Sequence, residues 1–120
     1  MDVISSDPVL AVHDLEISGS WYQDVLGAEL DDVDPGNWRF CRVGAVTFML
    51  GRCPDAPSAR EIGDHNYLAY LHVDDVDGFY RRAVEHGADV LKPPRDEPWG
   101  MREFALRSPD GHRFMLGQRN

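Results

Sequence analysis

Apolar and polar positions along this chain switch between two rhythms, and they do so twice in the same order. Residues 8–12 form a short apolar run that predicts a strand. Asp14 then opens a segment whose apolar positions Ile17, Trp21, Tyr22, Val25 and Leu26 fall on one face of a 3.6-residue helix. Gly27 follows as a stop. Gly19 inside that helix costs about 1 kcal/mol relative to alanine. The turn Asp34-Pro35-Gly36-Asn37 leads into strands at 38–43 and 46–50, joined by Gly44-Ala45.

The second half repeats the order. Residues 67–73 predict a strand, and Asp74 or Asp75 caps a helix with Val76, Phe79, Tyr80, Ala83 and Val84 on one face. Gly87 ends it. A short strand at 89–91 and a proline-rich loop at 92–100 follow. Strands at 101–107 and 113–116 then flank the turn Ser108-Pro109-Asp110-Gly111. The tetrapeptide Phe48-Met49-Leu50-Gly51 recurs as Phe114-Met115-Leu116-Gly117, and Gly27-Ala28-Glu29-Leu30 is echoed by Gly87-Ala88-Asp89-Val90. Two diverged copies of one unit account for this, at about residues 6–52 and 65–118, with 53–64 as the connector. The expected fold is α+β: two βαβββ repeats forming a curved mixed sheet, helices on its convex face, in a single domain over 1–120. The concave face is then the place for a ligand.

Composition narrows the partners. With 21 acidic against 12 basic residues the net charge is −9, which argues against nucleic acid and suits cationic small molecules. No run approaches the roughly 20 apolar residues of a membrane span, and no secretory signal is visible, so a cytoplasmic protein is expected, without a membrane partner. Cys41 and Cys53 lack C-x-x-C spacing and read as two reduced thiols.

The βαβββ order, Trp21-Tyr22-Gln23-Asp24-Val25-Leu26-Gly27 in the first helix and Ser108-Pro109-Asp110-Gly111-His112 in the last hairpin together resemble the vicinal-oxygen-chelate superfamily. That group holds glyoxalases, dioxygenases and bleomycin-resistance proteins. The stretches from Pro98 to Arg107 and from Asn66 to Val73 are most similar in motif to the bleomycin-resistance proteins. In the metal-dependent members, ligands of the type His and Glu come from positions that correspond here to Asp7, Asn66 and Met115, with Met49 in the other half. Methionine is a soft thioether and asparagine a weak ligand, so the resemblance implies no metal and no cofactor at these positions. Of the histidines, His65 is one residue out of phase with Asn66, His13 and His112 flank turns, and His86 sits near a helix end.

Aromatic side chains are the remaining candidates. Trp38 and Phe40 share one face of their strand, and Tyr70 and His72 share one face of theirs. Trp99 stands in the proline-rich loop and Phe104 on the following strand. Flat side chains of this kind stack on planar ligands. The expected function is metal-independent sequestration of an aromatic or cationic drug or natural product by a homodimer. The alternatives are a metal-dependent glyoxalase-like lyase, isomerase or dioxygenase, and a metabolite-sensing module. Apart from these, Glu103 on a cleft strand is a candidate base.

Overall fold

The computed structural model describes residues 1–62 and 67–120. It divides into two compact units, Met1–Ser58 and Ala59–Asn120. Each unit carries the expected βαβββ order and builds one four-stranded mixed sheet, so the class is α+β.

In the first unit the elements are β1 (Val9–Val12), α1 (Leu15–Leu26), β2 (Glu29–Asp34), β3 (Trp38–Val43) and β4 (Val46–Arg52). The sheet order is β1-β4-β3-β2, with β1 parallel to β4 and the other pairs antiparallel. Local chemistry starts and stops the helix. The Asp14 carboxylate accepts from the Ile17 N–H at 3.0 Å, and Gly27 takes the left-handed conformation that a β-carbon disfavours. The buried face is Leu15, Ser18, Gly19, Tyr22, Val25 and Leu26. Ile17, expected on that face, is 60% exposed. The inward stripe begins at Leu15 and runs through two small residues, which an apolar count passes over.

Gly19 has a spatial reason. A β-carbon there would stand 2.7 Å from Cδ of Arg39, whose stem runs beneath the helix. The Arg39 guanidinium meets Asp32 at 2.6 and 3.2 Å and donates to the Leu15 carbonyl at 3.4 Å. Phe48 and Leu50 of β4 lie under the helix, with the Tyr22 ring 5.1 Å from that of Phe48.

In the second unit a 3-10 turn (Ala59–Ile62) precedes β5 (Tyr67–His72), α2 (Val76–Glu85), β6 (Asp89–Asp96), β7 (Met101–Arg107) and β8 (Arg113–Arg119). The order β5-β8-β7-β6 repeats that of the first sheet. Asp75 caps α2 by accepting from the Gly78 N–H at 3.0 Å. Val76 and Ala83 are its buried residues; Phe79 and Tyr80 are half-buried, and Val84, expected on the same face, is 53% exposed. The strand expected at 89–91 continues through Lys92, Pro93 and Pro94 to Asp96. Proline is tolerated because β6 is an edge strand, and its pairing with β7 shifts register on both sides of Lys92.

Candidate functional site: two open sheet faces

The twin tetrapeptides divide each sheet into two chemistries. Phenylalanine and leucine of each copy are fully buried. Methionine and glycine, one residue out of phase, point to the opposite face. On that opposite face the two units differ.

In the first unit the part of the face around Trp38, Phe40 and Met49 is apolar. Cross-strand pairing sets Phe40 opposite Met49 and Trp38 opposite Gly51, with Val9 paired to Met49 on the other side. Val9, Val33, Asp34, Trp38, Phe40 and Met49 line a shallow concavity of about 360 Å³. The indole of Trp38 lies down on the sheet because position 51 has no side chain. Trp38 remains 38% exposed and Val9 63%, so this apolar surface faces solvent.

In the second unit a polar network is built into the face. Tyr70 and His72 alternate along β5 as expected, with ring centroids 4.9 Å apart. The Tyr70 phenol passes over Gly117 and donates to Glu103 Oε2 at 2.8 Å. Lys92 Nζ donates to Glu103 Oε1 at 3.1 Å and meets Glu97 Oε1 at 2.8 Å. Arg95 holds Glu97 through two bonds of 2.8 and 3.0 Å. Glu97 and Glu103 are 5% and 3% exposed.

The network sets its own protonation states. Hydrogen bonds from Arg95 and then Lys92 hold the Glu97 carboxyl down to about 2. Burial, followed by the bond to Glu103, pushes the Tyr70 phenol up to about 12, so it stays a donor. Burial pulls the Lys92 ammonium downward, but its bonds to Glu97 and Glu103 outweigh this and leave it above its ordinary value.

The other sequence candidates fall elsewhere. Trp99 stands at the tip of the β6–β7 hairpin and is 62% exposed. Phe104 is a correction. It is fully buried on the helix side of β7, opposite Leu116, with the Tyr80 ring edge-on at 5.5 Å. Glu103, its neighbour, takes the open face instead. Lys92 and Glu97 were missed because residues 92–100 read as a loop. One signal was present: Lys92 is the only lysine in the chain.

The positions matched to family metal ligands can be tested on their chemistry. Asp7 Oδ1 accepts from the Thr47 N–H at 3.0 Å, which fastens the start of β4. Met115 pairs with Tyr70 across β8 and β5 and offers a thioether. Asn66 and the neighbouring His65 lie outside the described residues. Among the described residues no three His, Cys, Asp or Glu side chains gather to hold an ion. A carboxylate engaged by backbone and a soft sulfur do not fit the hard or borderline ions of a glyoxalase-type site.

The sequence matches the model for the Glyoxalase/Bleomycin resistance protein/Dioxygenase superfamily over residues 5–116. Uncharacterized protein Mb0911c of Mycobacterium bovis is 41% identical over an 85-residue alignment that covers 64% of this chain and 55% of that protein. Uncharacterized protein Rv0887c of Mycobacterium tuberculosis matches at the same identity over 49% of its length, so the match spans about half of these curated relatives. Among solved structures, TioX from Micromonospora sp. ML1 is similar with a TM-score of 0.77 and 25% identity, covering 97% of this chain and all of TioX. The fosfomycin resistance protein FosX from Listeria monocytogenes gives 0.81 at 21% identity, covering 100% and 96%. A bleomycin-binding protein complexed with bleomycin gives 0.75 at 21%, covering 98% and 100%. The latter two likenesses are of fold.

Proposed function

The chain belongs to the glyoxalase/bleomycin resistance/dioxygenase superfamily, and from that premise we propose that it binds and sequesters a small aromatic molecule, a drug or natural product, without a metal ion. The observation that carries this reading is the solvent-facing concavity of Val9, Val33, Trp38, Phe40 and Met49. Two rings and a thioether on one face form a stacking platform. Each ring contact contributes about 0.5–1.5 kcal/mol beyond its area, and more for a cationic ligand. The net charge of −9 steers such a ligand toward the protein. A superfamily relative of the same fold is known in complex with bleomycin. The donor chemistry at Asp7 and Met115 supports a site that works without an ion.

In this reading residues 1–120 act as one domain in a cytoplasmic homodimer. Trp38 and Phe40 are the candidate ligand contacts of the first unit, and Tyr70, His72 and Trp99 those of the second, each unit taken by itself. Pairing of chains would cover apolar surface that a monomer rarely leaves exposed.

A thermal-shift panel of antibiotics and divalent ions tests the proposal, since a ligand selective for the native state raises apparent stability by mass action. An aromatic compound should raise the melting temperature, and Trp38→Ala should abolish the shift. A stoichiometric ion bound through Asp7, Asn66 or Met115 would overturn the metal-free reading. Light scattering or sedimentation tests the dimer.

A further inference from the structure

The buried network of the second unit calls for an explanation that stability does not supply. Removing a carboxylate from water costs several kcal/mol before its partners return any of it, and apolar side chains of similar volume do as well or better. Glu103, 3% exposed, nevertheless sits in the middle strands of an otherwise open sheet face, opposite Gly117. Tyr70 lies across that glycine and reaches the carboxylate from one side while Lys92 reaches it from another.

The hydrogen-bonding capacity of this cluster is not used up. Tyr70 has committed its proton to Glu103, so its phenol oxygen keeps acceptor lone pairs on a residue that is 39% exposed. Lys92 has three N–H groups, and among the described residues two of them are taken, by Glu97 and Glu103. The charges balance: Glu97 and Glu103 face Lys92 and Arg95. An acceptor and a donor therefore flank one carboxylate in a cluster with no net charge. A cationic head would meet Lys92, and an anionic head would meet Glu97 and Glu103. A neutral group with a carbonyl beside an N–H suits both free positions.

We infer that Tyr70, Lys92 and Glu103 form a subsite of the second unit for a carboxamide group, its carbonyl accepting from Lys92 and its N–H donating to the Tyr70 oxygen. Glu103 acts here as the positioning residue that holds the other two. The inference rests on the binding-protein reading and adds the polar group to be recognised.

Three probes with one ring and different heads provide the test: benzamide, benzylamine in its protonated form, and benzoate. Each is titrated into the full chain and followed by the side-chain NMR signals of Tyr70, His72 and Trp38. Benzamide should move the Tyr70 and His72 signals at lower concentration than either charged probe. Tyr70→Phe, which removes the phenol oxygen and leaves Glu103 its bond from Lys92, should weaken benzamide about fivefold, the equivalent of one neutral hydrogen bond at about 1 kcal/mol. Equal responses to the three heads, or no loss in Tyr70→Phe, would overturn the subsite. If Trp38 still responds in that case, the stacking reading survives without it. If Tyr70 and His72 select benzamide while Trp38 is silent, the subsite stands and the platform falls.

Discussion

The indole of Trp38 rests on the bare backbone of Gly51, so near that a β-carbon at position 51 would stand 2.9 Å from Cη2 and 3.0 Å from Cζ3. The last letter of the repeated tetrapeptide thus makes room for an aromatic ring on the open face. In the second copy Gly117 does the same for Tyr70.

Gly51→Ala should lift Trp38 from the sheet. The ring is partly exposed and can tilt, so the cost is at the low end for overpacking, about 1 kcal/mol. A change in tryptophan emission together with a small loss in denaturant midpoint checks this. An unchanged emission spectrum would count against the contact.

Gly111→Ala should cost more. Gly111 has φ +89°, and a β-carbon there would stand 2.5 Å from the backbone nitrogen and 2.8 Å from Cα of Arg60. Main-chain atoms cannot swing away as an indole can, and Arg60 also bonds the Pro109 carbonyl at 3.2 Å. A loss of about 3 kcal/mol, from strain and overpacking together, is expected in urea unfolding.

Phe104→Ala and Trp38→Ala should separate core from platform. Phe104 is fully buried against Tyr80, so truncation should cost about 3–5 kcal/mol. Trp38 on the open face should cost about 1 kcal/mol or less. Comparable losses in the two variants would contradict the assignment of faces.

Acid should weaken the second unit's network. The Glu97 carboxyl is depressed from 4.5 to about 2 by Arg95 and Lys92. A depressed folded value means that the charged form is favoured on folding. Its contribution is complete above pH 4.5, declines as pH falls and is gone below about 2. Glu97→Gln should therefore flatten the acid limb of the stability curve in that window, as read by chemical denaturation at a series of pH values.

How much of this was legible depended on how local its cause is. The caps Asp14 and Gly27 declare themselves because a side-chain oxygen three residues from an amide, or a residue without a β-carbon, acts within one turn. In the second unit the sequence offers Asp74 or Asp75, and the bond from the Gly78 N–H selects Asp75. The alternation of Trp38 with Phe40 and of Tyr70 with His72 needs only the two-residue period of a strand. Phe104 was misread because alternation alone does not say which side of β7 a helix covers. Its pairing with Leu116 of the repeat decides that, and pairing joins residues distant in sequence.

The amino-acid order by itself determined the twofold βαβββ plan, the helix ends and the division of Phe-Met-Leu-Gly between two faces, since each follows from steric and hydrogen-bonding rules acting over a few residues. Tertiary structure alone decided that Arg39 runs under Gly19, that β6 continues through two prolines at a sheet edge, and that Tyr70, Lys92, Glu97 and Glu103 share one network. Those outcomes arise from burial and long-range pairing, where desolvation makes each charge depend on partners that no short stretch of sequence contains.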